Sequence, residues 1–203
     1  MTSKLLASAF LATSLLATPF ALSSQANAAE SFAFDKGHSE IIMGWNHAGV
    51  SDQTAEFTDF SGTVVLDEEN PDKSNVTVTI KVDSLHTGFG PLDTELKGPG
   101  FLNEKKHPEI TFKSTAVNRT GKNTADVAGN LTINGVTKPA TLAVQLIHLG
   151  DHPLAPFIDY YAGKWAGFKA TTSLNRSDFD VGAFAPLTSD RIDVSINVEL
   201  KKK

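Results

Sequence analysis

The chain has 203 residues, 18 Lys and Arg against 23 Asp and Glu, 40% hydrophobic residues and no cysteine. Its net charge of −5 disfavours nucleic acid and anionic membrane surfaces as partners, and the lack of cysteine excludes disulfides, a lipid-modified cysteine and thiolate metal sites. Such a chain must be held by its core alone, and at this length one domain can bury roughly 70% of its unfolded surface.

Residues 1–28 read as a removable leader. Lys4 gives a basic start, Leu5 to Leu22 is an apolar run containing Pro19, and Ala26-Asn27-Ala28 has the small-x-small form of a signal peptidase site. Cleavage is expected after Ala28, leaving 29–203 as a single exported, soluble domain. The alternative is a retained anchor, but the polar Ser23-Ser24-Gln25 leading into the site favours removal. The leader carries Lys4 and no acid, so the balance becomes 17 minus 23, or −6. No later run is long and apolar enough for a spanning helix.

Beyond the leader, the dominant signal is alternation with period two, the mark of half-buried strands. Phe32 and Phe34 open a short strand that Lys36-Gly37 breaks. From Ser39 to His47, Ile41, Met43, Trp45 and His47 share one side. Between Glu56 and Asp67 the pattern slips, because Phe57 and Phe60 have opposite parity, and a bulge or bend is expected near Asp59 to Gly62. Asn75 to Val82 is regular again, with Val76, Val78, Ile80 and Val82 on one face. The next stretch is the least strand-like: Pro91 can start a short helix through Lys97, which Gly98-Pro99 ends, and such an insert can lie across a barrel mouth. Ile110, Phe112, Ser114 and Ala116 then resume a strand. Val127, Gly129, Leu131 and Ile133 lead to Asn134-Gly135, a dipeptide suited to the type I′ turn of a hairpin, and Leu142, Val144 and Leu146 continue the return strand. After a loop from Asp151 to Tyr161, extended structure resumes from Trp165 to Ser173. Ile192, Val194, Ile196, Val198 and Leu200 close the chain.

Eight or nine antiparallel strands with short helical inserts make an all-β sandwich or barrel. Closure would remove exposed sheet edges, and an eight-stranded barrel can be filled by its own side chains or hold one small ligand. Thirteen phenylalanines against two tyrosines skew the aromatics toward purely apolar surface, including Phe101 in the insert and Phe168 in the Trp165 strand. A packed core and a lined cavity both accommodate them.

The six histidines, His38, His47, His86, His107, His148 and His152, show no metal-ligand spacing, and no metal or catalytic cofactor is expected. His47 stands out by its parity with Trp45. It is either a hydrogen-bonded histidine at a barrel rim or a polar contact for a ligand head group. A serine hydrolase would need a nucleophile beside a base and an orienting acid, and there is no G-x-S-x-G elbow, so catalysis is not the leading expectation. An exported enzyme working through His38, His47 or Asp35 is the alternative, as is a filled barrel acting through protein contacts.

Several separate segments carry a resemblance. FxFDxxHS from Phe32 to Ser39, FTDFSGT from Phe57 to Thr63, LDTELKGPGFLN from Leu92 to Asn103, HPEITFKST from His107 to Thr115, GNLTINGVTKPATL from Gly129 to Leu142, AGFKA from Ala166 to Ala170 and RSDF from Arg176 to Phe179 resemble the YceI-like family of exported polyisoprenoid-binding proteins. The resemblance implies an antiparallel eight-stranded lipocalin-like barrel, periplasmic or secreted, that is not an enzyme and takes a polyprenol or quinone tail into its interior. With strand parity it makes Ile41, Met43, Trp45, Phe57, Phe101, Ile110 and Phe112 candidate ligand contacts, and likewise Leu131, Leu142, Val144, Leu146 and Phe168, with His47 toward the head group. Two departures stand out: Asp180 follows RSDF where the family commonly has glycine, and Trp45 is bulkier than the usual aliphatic residue. Whether the chain forms a homodimer is left open.

Overall fold

The computed structural model describes residues 29–203. The leader expected at 1–28 therefore lies outside the described residues. Eleven strands and one helix follow in order: β1 (Glu30–Phe34), β2 (Glu40–His47), β3 (Ser51–Phe57), β4 (Phe60–Leu66), β5 (Asn75–Lys81), β6 (Leu85–His86), α1 (Gly90–Lys97), β7 (Glu109–Arg119), β8 (Thr124–Ile133), β9 (Val136–Asp151), β10 (Lys164–Asn175) and β11 (Arg191–Lys202). Eight of them, β1-β4-β5-β7-β8-β9-β10-β11, form a closed ring, because β11 also pairs with β1; every pairing is antiparallel. The fold is the expected eight-stranded antiparallel barrel.

A second partner of β11 explains the remaining strands. Its end pairs with β1 through Phe32↔Lys202 and Phe34↔Leu200, whereas its first half pairs with β2 from Asp193↔Gly44 to Asn197↔Glu40. The one-turn 3₁₀ segment Lys36–His38 joins β1 to β2. Past it, β2 and β3 form a hairpin that leaves the ring, and the short β6 covers only Glu56 and Phe57 of β3. The insert fills the space so opened. Leu96 of α1 and Leu102 pack with Ile41, Ala55, Phe57, Phe60, Val82, Leu85 and Ile110 in the larger core cluster.

Alternation is obeyed strand by strand and revised where the chain bends. Phe57 and Phe60 belong to two strands with different partners, so the parity slip marks a strand break at Thr58-Asp59, not a bulge. Ser51 to Ala55 is a strand that no alternation announced. Val82 leaves β5 for a 3₁₀ turn, Val82–Ser84, and is only 1% exposed there. In β7 a register shift between Ser114 and Ala116 turns Ala116 outward and brings Val117 and Arg119 to the inner face. A shift of the β9–β10 register at Gly167/Phe168 leaves Ile147 61% exposed and returns Leu149 inward. Asn134 and Gly135 both have positive φ, 49° and 77°, as a type I′ turn requires.

Candidate functional site

The inner faces of the ring do not meet at the centre. They enclose a cavity of about 810 Å³ that runs from one end of the barrel to the other, in the upper part of the range for small-molecule sites. Ile41, Met43 and Trp45 of β2 line it beside Phe57 of β3. Ile110 and Phe112 of β7 and Leu131 of β8 form the facing wall, Leu142, Val144 and Leu146 of β9 and Phe168 of β10 complete the bore, and Phe101 and His47 sit at one end. Every position expected to contact a ligand thus borders the same space. Gly129 leaves room for the tip of the Phe112 ring: a Cβ there would lie 2.4 Å from that ring and 2.6 Å from the Lys113 carbonyl.

Antiparallel order puts different loops at the two ends. The β4–β5 loop and the β7–β8 turn contribute Asp67, Glu68, Arg119, Lys122 and Asn123 to one rim, which we call the polar end. Asp67 is held in place: its carboxylate accepts from the Asn70 backbone N–H at 2.7 Å. Beside it Lys164 pairs with Glu30 at 2.6 Å and also with Glu68, and Lys202 pairs with Glu30 at 2.5 Å. Hydrogen bonds from Lys164 and then Lys202 hold the Glu30 carboxyl below its ordinary value of 4.5.

The other end is capped. Leu92, Glu95 and Leu96 of α1 border the cavity there, as do Phe179, Val181, Phe184 and Leu187 of the loop after β10. That loop is tied down by Arg176, which is only 7% exposed. Its Nε donates to Ser189 O, Nη1 to Val181 O and Ala183 O, and Nη2 to Thr188 O and Oγ1, at 2.6–2.9 Å, so all five N–H groups are used. Burial lowers the guanidinium's affinity for its proton. The cap nonetheless leaves an apolar rim, with Phe184 63% and Leu187 71% exposed.

A YceI-like domain model matches residues 32–200. Protein YceI of Escherichia coli O17:K52:H18 is 38% identical over 162 residues, covering 80% of this chain and 81% of that one. This chain belongs to the YceI-like family. Among solved structures, Burkholderia cenocepacia BcnA superposes with a TM-score of 0.72 at 22% identity, covering 82% of this chain and 98% of BcnA. A polyisoprenoid binding domain from Saccharophagus degradans gives 0.61 at 12% identity, covering 86% and 99%. Both likenesses are of fold.

Within this YceI-like barrel the remaining polar candidates separate. His47 lies at the capped end, where its backbone bridges to Thr188 and its ring makes no hydrogen bond among the described residues. It is therefore a rim histidine, though not a hydrogen-bonded one. Asp35 and His38 sit together on the outer wall, away from His47, so the three do not converge on one centre. Trp165 is also outside: it is 1% exposed because the β9–β10 loop covers it, and its Nε1 donates to Tyr161 O. Asp180 adopts the left-handed conformation (φ 57°, ψ 29°) that suits the glycine common at its position. Among the cavity residues that alternation does not single out are Arg119 and Val117, moved inward by the shift in β7, the rim residues Lys122 and Asn123, the cap residues Phe184 and Leu187, and Arg176. No helix among the described residues is long and apolar enough to cross a membrane.

Proposed function

We propose that this chain is an exported carrier or buffer for a long isoprenoid lipid, a polyprenol or a quinone tail, held in the barrel with its polar head at the polar end. The observation that carries the reading is the cavity itself, apolar along its bore, with the charged residues Asp67, Glu68, Arg119 and Lys122 gathered at one rim and an end capped largely by Leu92, Leu96, Phe179, Phe184 and Leu187 opposite. Asp67, Arg119, Lys122 and Asn123 would meet a head group, while the tail runs past Phe112, Leu131 and Val144 toward Trp45. The family, and the shared barrel of the S. degradans polyisoprenoid binding domain, support the choice of lipid. The leader-like residues 1–28 support export to the periplasm or medium. Area is not the limit on affinity. A tail of ~40 carbons at ~0.8 kcal/mol each would give ~32 kcal/mol, beyond the ceiling near 20 for non-covalent complexes. At ~0.3 kcal/mol per atom the same tail gives ~12 kcal/mol, roughly nanomolar binding, the rest being absorbed by ordering the chain.

Fluorescence tests this directly, because Trp45 lines the cavity and Trp165 does not. A quinone with a long isoprenoid tail is expected to quench Trp45 saturably. The Trp45→Phe variant should lose the signal, and Ala170→Phe, which fills the bore at a position 7% exposed, should weaken binding about tenfold or more. Wild-type protein that is not quenched, and that yields no polyprenyl lipid on organic extraction, would contradict the reading.

A further inference from the structure

A group of polar side chains on the outer wall has no part in the cavity. It forms where Asp35 and His38 flank the turn between β1 and β2 and where Glu199 of β11 runs beneath the β9–β10 loop. The Asp35 side chain is 7% exposed; it accepts from Gly37 N–H at 3.1 Å and Tyr160 O–H at 2.9 Å, and lies 2.7 Å from His38 Nδ1. Burial would raise its affinity for a proton, but these hydrogen bonds, that of His38 first, outweigh it and hold the carboxyl below the usual range. One ligand atom from each of Asp35, His38 and Glu199 lies within 4.8 Å of the other two.

Glu199 is the unexplained member. Its side chain is 38% exposed, but its Oε2 is shielded from solvent and has no hydrogen-bond partner, an arrangement that costs free energy unless something occupies the place of water. The nearest titratable nitrogen, His152 Nε2, is at 3.6 Å, too far for a hydrogen bond. His152 is not itself a ligand in this arrangement. Its Nδ1 accepts the Leu154 backbone N–H at 3.1 Å, so the neutral ring carries its proton on Nε2 and presents it toward the carboxylate.

We propose that Asp35, His38 and Glu199 form a binding site for one divalent transition-metal ion, with Zn²⁺ the best match to one imidazole nitrogen and two carboxylates without sulfur. Ligand atoms ~2.1 Å from a tetrahedral ion sit about 3.4 Å apart. The ion would therefore take the place of the proton between Asp35 and His38, spread that pair from 2.7 Å and draw Glu199 in from within 4.8 Å. His38, 48% exposed, leaves a coordination position open to water and a path for entry. Tyr160 on Asp35, and His152 beside Glu199, would orient the carboxylates, as the outer partners of metal ligands do. Behind them His152 stacks on Tyr161, ring centroids 4.1 Å apart, and both pack against Trp165. Because the neighbours of Glu199 on β11, Val198 and Leu200, face the cavity while Glu199 faces out, ion binding is separable from lipid binding.

Calorimetric titration of ZnCl₂ into the full chain, stripped with a chelator and exchanged into a non-coordinating buffer, tests the site. Saturable uptake of a single ion per chain is expected. Glu199→Gln and His38→Gln should each weaken it about tenfold or more, while Asp193→Asn, on the exposed face of β11, should leave it unchanged. A readout on the unaltered protein guards against variants that fail to fold: Zn²⁺ should protect His38 selectively from diethylpyrocarbonate, read by peptide mass spectrometry. No saturable uptake below millimolar Zn²⁺ would overturn the site, as would uptake that leaves His38 unprotected or that both variants retain in full.

Discussion

The two ends of the cavity are held by different physics. At the polar end the rim is fixed by Lys164, Glu30, Glu68 and Lys202, half-hydrated ion pairs that gain little in water and weaken with salt. At the capped end a single desolvated guanidinium satisfies five acceptors of one loop, and removing it strands several carbonyls at once. The contrast suggests a division of labour. In the proposed carrier the charged rim would set which way the lipid points, while the buried arginine holds the loop that caps the far end.

Substitutions at each end sharpen that contrast. Arg176→Ala should have the largest effect, lowering stability by about 3 kcal/mol and freeing the loop that carries Phe184 and Leu187; chemical denaturation and hydrogen exchange over 176–190 would show both. Changing Arg119 and Lys122 together to Ala should leave the melting temperature nearly unchanged. It should weaken a lipid with a polar head by about tenfold, or ~1.4 kcal/mol, while sparing the bare hydrocarbon; equal losses for both would mean that the head does not sit at that rim. Lys164→Ala should cost at most about 1 kcal/mol.

The same lysine ties the polar end to pH. Since the Glu30 carboxyl is held below its ordinary 4.5 in the folded protein, the stability it contributes is present above 4.5 and is lost as pH falls through the folded-state value. A melting series from pH 6 to pH 3 should show this loss in the wild type and a smaller one in Lys164→Ala. The smallest effect should come from Asp180→Gly. It relieves a left-handed residue and should gain about 0.5 kcal/mol, part of the relief being offset by the freer unfolded chain.

Local alternation made most of the barrel legible. The hairpin around Asn134-Gly135 and the closing strand β11 read correctly because half-buried strands bury every second residue whatever their neighbours do. Where position depended on a distant partner, alternation was silent. Ser51 to Ala55 is polar on both sides, and only its pairing with β2 outside the ring makes it a strand. Register shifts beside Thr115 and Ile147 turn the pattern over and bring Arg119 into the cavity, a change that no spacing rule contains. Trp165 lies in the extended segment expected from Trp165 to Ser173, but that its side chain is buried on the outside, 1% exposed, depends on the β9–β10 loop. No spacing rule singles out Arg176, because a buried arginine is recognisable only by its acceptors, and these lie as many as 13 positions away. Asp35 and Glu199 meet through the backbone bond from Asp35 N to Glu199 O, a closure of the ring that no local motif encodes.

Hydrocarbon occupancy of the barrel is measured most directly by native mass spectrometry of the protein purified without detergent. A discrete adduct with the mass of a polyprenyl lipid is expected, released by organic extraction and restored by a long-chain polyprenol. A chain that flies at its bare mass both as purified and after incubation with that polyprenol would contradict it.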